Sequence, residues 1–409
     1  MAGIVRGVGE GEAMTDTLPA FDPHNPEYFE TGLPFDLLAE LRQQGPVAKT
    51  PLGYYLTRRQ EADELLYAVD TYGSDMTPGT GLTGVEEVPE EQLFLPEIDE
   101  PVHGQIRRLY NSALGPHRTM RIQPFVRETC EGLLDALVDN EVSDLHADYA
   151  VPIPCEVIAR IIGLPEGGAD KLKVWSSDGS VMFRAVCPQY APDGPPITGY
   201  LKDLVAQERQ ADEPSSHTYK VFLDAEIEGE SLSDTVIAHQ LQTMVLGGVH
   251  TTRGLLAHSM HRLIVEPENW AALEADRELI PVFVEESLRH DSPAPRVARR
   301  CLKDTHLGGV DMQQGDWVEV GLASANRDAD QYEDPEDFRL DRPDPLNHVA
   351  FGAGAHVCPG ASLARLEGVT AIETLLDRVS ALTPVDGFEY PPLPANLAYS
   401  DLPAHITWR

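Results

Sequence analysis

The 409-residue chain is short of paired cysteine, of long apolar runs and of positive charge, and each shortage narrows what it can be. Its five cysteines, Cys130, Cys155, Cys187, Cys301 and Cys358, are odd in number and have no paired spacing. That excludes a disulfide framework and points to a reducing compartment, the cytoplasm. No run of about 18 apolar residues occurs, so no transmembrane helix and no membrane partner are expected. The N-terminus is rich in Gly and Glu with one Arg; it lacks the basic start and apolar stretch of a signal peptide. Residues 1–20 read as a disordered tail. Lys and Arg number 31 against 67 Asp and Glu, a net charge of −36, which argues against nucleic acid and anionic membranes as partners. There is no repeat, no long Ser/Gly tract and no low-complexity block to mark a linker. The 33 Gly and 33 Pro are spread along the chain, and a 42% apolar fraction is ample for one large core. Residues 21–409 are therefore expected to form a single domain, with the protein a monomer.

One local shortage runs against the overall charge. From Pro101 to Arg127 there is no Asp or Glu, while Arg107, Arg108, Arg118, Arg121 and Arg127 occur with His103 and His117. An ordinary helix–loop–helix surface is one reading of this stretch. A site for buried carboxylates and for an acidic partner protein is the other.

Helical patterning marks Phe35 to Gln44, then Val102 to about Leu164, then Ser231 to Val265, which opens on Ser/Asp cap residues. The last is the longest, and Gly247-Gly248 interrupts it at a cost in helix stability. Glycine lets a backbone approach a flat partner closely. Residues 71–96 and Cys187 to Gly199 read as irregular loops. Val297 to Val320 reads as hairpin-like, with turns at Gly308-Gly309 and Gln314-Gly315. A polar irregular stretch follows Asn326, and a closing helix runs from Ala361 to about Val379.

The most informative segment is Phe351-Gly352-Ala-Gly354-Ala-His356-Val-Cys358-Pro359-Gly360. A lone cysteine is usually a small buried apolar residue. On a glycine-rich loop that leads into a helix, it can instead present its sulfur as one strong axial ligand. The segment fills every fixed position of Phe-x-x-Gly-x-His-x-Cys-x-Gly and so resembles the haem-binding loop of the cytochrome P450 family. The resemblance extends over about residues 30 to 409. It implies a mainly α fold with small β sheets, a triangular prism with haem b held between the long central helix and the Cys358 loop. It also implies a thiolate ligand that favours O–O cleavage, and with it a monooxygenase that inserts one atom of O2 into a small organic substrate.

The resemblance assigns further residues. Glu286-Ser-Leu-Arg289 matches the family's Glu-x-x-Arg pair, which holds the cysteine loop, here through Arg339 or Arg342. Gly247, Gly248, His250 and Thr251 match the oxygen-activation motif, with Thr251 over the iron. An acid is usual where His250 stands, so the imidazole either relays protons in its place or points away; Thr251 either serves the oxygen or bonds back to a helix carbonyl. His103, Arg107, Arg299 and His356 match contacts to the haem carboxylates, and Arg300 competes with Arg299, since strand alternation turns only one of them inward. Phe351, Gly352 and Gly360 complete the haem cradle. Proline has no N–H, so Pro359 removes one donor to the sulfur, which predicts a more electron-rich thiolate and a lower haem potential.

By position, Thr243, Met244, Ala294, Arg296, Val297 and Leu397 would line the substrate pocket. Arg108, Arg118, Arg121 and Arg365 would form a basic patch for an iron–sulfur ferredoxin, reduced by an NAD(P)H ferredoxin reductase. Two rival chemistries fit parts of the pattern. One is a peroxide-using peroxygenase, suggested by the missing acid at 250. The other is a haem electron-transfer or sensor protein, which would have no use for Thr251.

Overall fold

The computed structural model describes residues 18–74, 93–177, 196–227, 229–390 and 401–409. Helices dominate. Phe35–Gln44 is a helix, and the second helical region resolves into Val102–Leu114, Pro116–Asp135 and Pro152–Ile162. Prolines at the first positions of the last two fit helix starts, where an N–H would go unpaired. The loop expected from Cys187 to Gly199 lies mostly outside the described residues, but its last residues already belong to the helix Pro196–Gln210. The expected tail also lies mostly outside them. Its last residues instead join a sheet: Lys49 N–H donates to the Pro19 carbonyl at 2.8 Å, and Ala20 bridges Lys49.

The long central helix is Asp234–Val245, a wide turn at Leu246–His250, then Thr251–Val265. Ser233 caps it, its hydroxyl accepting the Val236 N–H at 3.2 Å. The interruption expected at Gly247-Gly248 is that wide turn: one π-type turn in which an extra residue is accommodated. Residues Thr252 to Ile264 are buried on every side except at His261, as befits a helix through the middle of a large core. The helices Leu279–His290 and Ala361–Arg378 pack against it.

A five-stranded sheet runs in the order Val47–Lys49, Gly53–Leu56, Trp317–Val320, Val297–Cys301, Tyr72–Gly73. Only the pair Gly53–Leu56 and Trp317–Val320 is parallel. The turn at Gly308-Gly309 closes a small hairpin, Thr305–Leu307 with Val310–Met312, both glycines having positive φ. A C-terminal hairpin, Val379–Pro384 with Pro403–Trp408, was not anticipated from the sequence.

Two apolar cores meet at the cysteine loop. Ala350 belongs to the large helical core and Phe351 packs against it, while Val349 and Ala353 belong to the core under the five-stranded sheet. The segment leading to Cys358 is thus packed against both cores.

Candidate active site

Glycine geometry shapes the cysteine loop. Gly352 and Gly354 have φ of 68° and 69°. A Cβ on Gly354 would lie 2.3 Å from the Leu66 carbonyl oxygen, because the loop rests on the end of helix Arg59–Tyr67. Only glycine fits there. The loop then turns through Gly354–His356, and Cys358 N–H donates to the Phe351 carbonyl at 2.9 Å. Past Pro359 the closing helix begins, and the Gly360 and Ala361 N–H groups donate to the Cys358 sulfur. Burial raises the thiol pKa; those two donors, Arg107 and Arg365 work against it.

Glu286 and Arg289 support the loop. Arg289 Nε and Nη2 donate to Glu286 at 2.7 Å each. Arg289 also donates to the carbonyls of Asn326, Pro335 and Asp337. Both candidates for the third member take part, in different ways. Arg342 donates through its side chain to Glu286 Oε1 at 2.9 Å, and Arg339 through its backbone N–H at 2.8 Å. Asn326 carries the support onward, its side-chain oxygen accepting the Val349 N–H at 2.8 Å.

A second acid, Glu285, was not singled out from the sequence. It accepts from Arg365 Nε at 2.6 Å and Nη2 at 2.9 Å, and it meets His348 Nε2 at 2.9 Å. Arg365 also lies over the Phe351 ring, 4.7 Å from its centroid. The arginine expected at a docking surface is therefore engaged inside the loop's support. An adjacent Glu-Glu pair on the helix before the Pro-rich turn was the signal available for this. Of the other patch residues, Arg108 and Arg121 are exposed, and Arg118 lines a surface cleft of about 400 Å³ with Asn111, His117 and His217.

His103, Arg107, Arg299 and His356 converge beside the cysteine. The His103 and His356 ring centroids are 4.0 Å apart. Burial, then Arg299, His103 and Arg107, push the His356 imidazole down to about 3. Arg299, rather than Arg300, is the buried one of the strand pair; burial lowers its pKa to about 10, with Asp99 opposing. Its one hydrogen bond among the described residues goes to the neighbouring Ala298 carbonyl. His103 Nδ1 meets Glu100 at 3.1 Å, while His103 Nε2 is buried with no partner among the described residues. Ser74, unnoticed in the sequence, pairs its hydroxyl with His356 Nε2 at 3.0 Å. Arg107 Nε donates to Asn111 at 3.3 Å, so among the described residues His103 Nε2 and Arg299 are the under-satisfied members, an arrangement that costs energy unless carboxylates complete it.

On the central helix, Gly247, Gly248 and Thr251 are accessible, whereas His250 is buried and lies off their face. Burial and Arg253 push its imidazole down to about 3, so it carries no proton from solution near neutral pH. Of the two alternatives, this burial favours a ring turned away from the face. The Thr251 hydroxyl donates back to the Gly247 carbonyl, the helix-bonded alternative. Among the expected pocket residues, Thr243, Ala294 and Val297 are half-buried, but Met244 belongs to the large core. Arg296 is bound elsewhere: its Nε donates to Glu319 at 3.0 Å and its Nη2 meets His24 at 3.2 Å. A free cation for an anionic substrate is thus not provided there. Leu397 lies outside the described residues.

Comparison with known proteins agrees with this architecture. The family model described as Cytochrome P450 matches residues 196–396. The chain is 32% identical to the steroid C26-monooxygenase of Mycolicibacterium smegmatis, over 74% of this chain and 76% of that protein. It is 32% identical to the erythromycin C-12 hydroxylase of Saccharopolyspora erythraea, over 87% and 89%. The chain belongs to the cytochrome P450 family. The solved structure of cytochrome P450 CYP109Q5 from Chondromyces apiculatus superposes with a TM-score of 0.81 at 27% identity, covering 95% of this chain and 99% of that one. This P450 is accordingly a haem-thiolate monooxygenase with the mainly α fold of its family. The under-satisfied donors around Cys358 fit that cofactor, which would bring two carboxylates and take the sulfur as its ligand. No helix among the described residues is long and apolar enough to cross a membrane.

Proposed function

We propose that this P450 inserts one atom of dioxygen into an apolar organic substrate, by hydroxylation or O-dealkylation. Electrons would come from NAD(P)H through a ferredoxin reductase and an iron–sulfur ferredoxin, with the enzyme acting as a cytoplasmic monomer. One observation carries the reading: beside the Cys358 thiol, His103 Nε2 is buried without a partner among the described residues, and the buried Arg299 bonds there only its neighbour's carbonyl.

In this reading Cys358 would bind the haem iron through its sulfur, and the Gly360 and Ala361 N–H groups would temper its charge. His103, Arg107, Arg299 and His356 hold the haem carboxylates, while Phe351 and Gly352 shape the cradle. Bound there, the haem supplies thiolate-assisted activation of dioxygen. Glu286 and Arg289 keep the loop in place. Gly247 leaves the central helix bare, so substrate and oxygen can approach its backbone, while Gly248 makes room for the Ile158 side chain. Thr251 holds a proton at its hydroxyl, released from the Gly247 carbonyl by a modest rotation, where a general acid is needed. His250 has no part in the relay.

Arg108, Arg118 and Arg121 would steer an acidic ferredoxin, mainly through encounter rate. Arg365 has little to add, because its donors are engaged by Glu285. Turnover with a ferredoxin system, compared with turnover in hydrogen peroxide, tests this account. Ferredoxin-driven product formation that weakens with salt and with Arg121→Ala is expected. Faster turnover with peroxide, indifferent to salt, would establish a peroxygenase instead.

A further inference from the structure

From Ile237 to Met260 the central helix is buried at every position except His239, Thr243, Leu246, Gly247, Gly248 and Thr251. Gly248 is turned toward the Ile158 side chain, which a Cβ there would meet at 2.4 Å; of the others, His239 and Thr251 are brought onto one face by the wide turn. In an unbroken α-helix, residues with the spacing of His239 and Thr251 point about 120° apart. The turn Leu246–His250 accommodates one extra residue. That leaves the two side chains about three α-turns apart and in phase, offset by about 16 Å along the axis.

Most of the face between them offers no polar group. The Thr243 hydroxyl donates to the His239 carbonyl at 3.0 Å, which leaves its methyl group outward. Leu246 and Gly247 add only apolar surface and bare backbone. His239 is different. Its Nδ1 is 2.9 Å from the Thr235 carbonyl, which can only accept, so the ring proton sits on Nδ1. Nε2 therefore keeps a lone pair, and it has no partner among the described residues. Burial lowers the imidazole pKa, with the Thr235 carbonyl opposing and Lys202 reinforcing, so the ring is neutral. Its position is fixed from the side by Phe94, ring centroids 6.0 Å apart. The Phe94 segment is itself tied down: Gln240 donates to the Leu93 carbonyl at 2.9 Å, and Tyr110 donates to Gln240.

We infer that His239 is a specificity-determining residue: its Nε2 accepts a hydrogen bond from a hydroxyl at the far end of an elongated, otherwise apolar substrate. The assignment rests on the reading of Gly247–Thr251 as the oxygen-activating segment, with the oxidised carbon at the Thr251 end. It selects against substrates shorter than the offset and against those whose far end lacks a donor.

The test uses holoenzyme and two probe pairs, dodecan-1-ol with its methyl ether and hexan-1-ol with its methyl ether. Dissociation constants are read from the Soret spin-state shift and from calorimetry, without turnover. Wild type should bind dodecanol about five- to tenfold tighter than its ether, the worth of one hydrogen bond to a buried acceptor. The hexanol pair, too short to span the face, should show no preference. His239→Phe should remove the dodecanol preference while leaving the ether's affinity unchanged, and His239→Gln, which keeps an acceptor, should restore part of it. Equal binding of the dodecanol pair, no binding of either, or a preference that survives His239→Phe would overturn the inference. Tighter binding of dodecanoate than of dodecanol would also overturn it, by assigning recognition to Lys202. A phenylimidazole titration run alongside separates the two levels: direct ligation of the iron in every variant upholds the haem site whatever becomes of His239.

Discussion

Replacing Glu286 with Gln perturbs the loop support without changing its volume. The carboxylate accepts two charge-assisted bonds from Arg289, one from Arg342 and one from the Arg339 N–H, and both Glu286 and Arg289 side chains are 2% exposed. The substitution leaves the Arg289 cation in the interior without its counter-charge and turns an amide N–H₂ toward its donors. Breaking a buried pair on one side costs about 3–5 kcal/mol. With a guanidinium slope of about 6 kcal/mol per molar for a large domain, the midpoint falls by about 0.7 M. Tryptophan fluorescence follows the unfolding, and haem absorbance after gel filtration reports whether the cysteine loop still holds its cofactor. Arg339→Ala is the internal control, since its guanidinium bonds Asp341 and Asp334 at the surface and only its backbone reaches Glu286; its midpoint should not move. The pH dependence adds a second readout. Burial pushes the Glu286 carboxyl up, but Arg289, Arg339 and Arg342 pull it below its ordinary value. A depressed folded pKa stabilises above the unfolded value, and that stabilisation is lost as pH falls through the folded one. Wild type should therefore lose stability in acid more steeply than Glu286→Gln. A loss at neutral pH under about 1 kcal/mol, the worth of an exposed ion pair, would refute the reasoning.

Gly354→Ala should destabilise the holoenzyme and release haem, because a Cβ meets the Leu66 carbonyl and φ is positive, whereas Gly352→Ala pays only the conformational cost of about 1–2 kcal/mol; equal midpoints for the two would be inconsistent with the loop packing described. Pro359→Leu should add an N–H near a sulfur that already accepts from Gly360 and Ala361, raising the haem potential by about 60 mV if the bond favours the reduced state by about 1.4 kcal/mol. Potentiometric titration checks this, and an unchanged or lower potential counts against it. His250→Gln should leave the coupling of oxygen uptake to product unchanged from pH 6 to pH 9, because the buried imidazole does not titrate there; a pH step lost in the variant would restore the relay.

The sequence made the chemistry legible where chain-local geometry dictates it. The cysteine loop, the helix Phe35–Gln44, the closing helix and the interrupted central helix were all visible, since glycine, cap residues and periodicity act over a few residues. What escaped were contacts between distant segments. Arg365 looked like a surface cation because its partner Glu285 sits on another helix, and Ser74 carries no signature that links it to His356. Arg296 looked available until the N-terminal segment brought His24 and the sheet brought Glu319 to it. His250 was placed by the oxygen-activation motif and Met244 by position, but both are buried, and the wide turn brings His239 into phase with Thr251. A one-residue change in helical phase is invisible to pattern reading and decides which side chains share a face.

The central claim is that Cys358 ligates haem iron as a thiolate. The most direct measurement is the absorption spectrum of the reduced, carbon monoxide-bound protein. The account predicts the red-shifted Soret band of thiolate ligation in wild type and its loss in Cys358→Ser with the other four cysteines intact. A Soret band at the ordinary position of histidine-ligated haem in wild type, or a red-shifted band that survives Cys358→Ser, would contradict it.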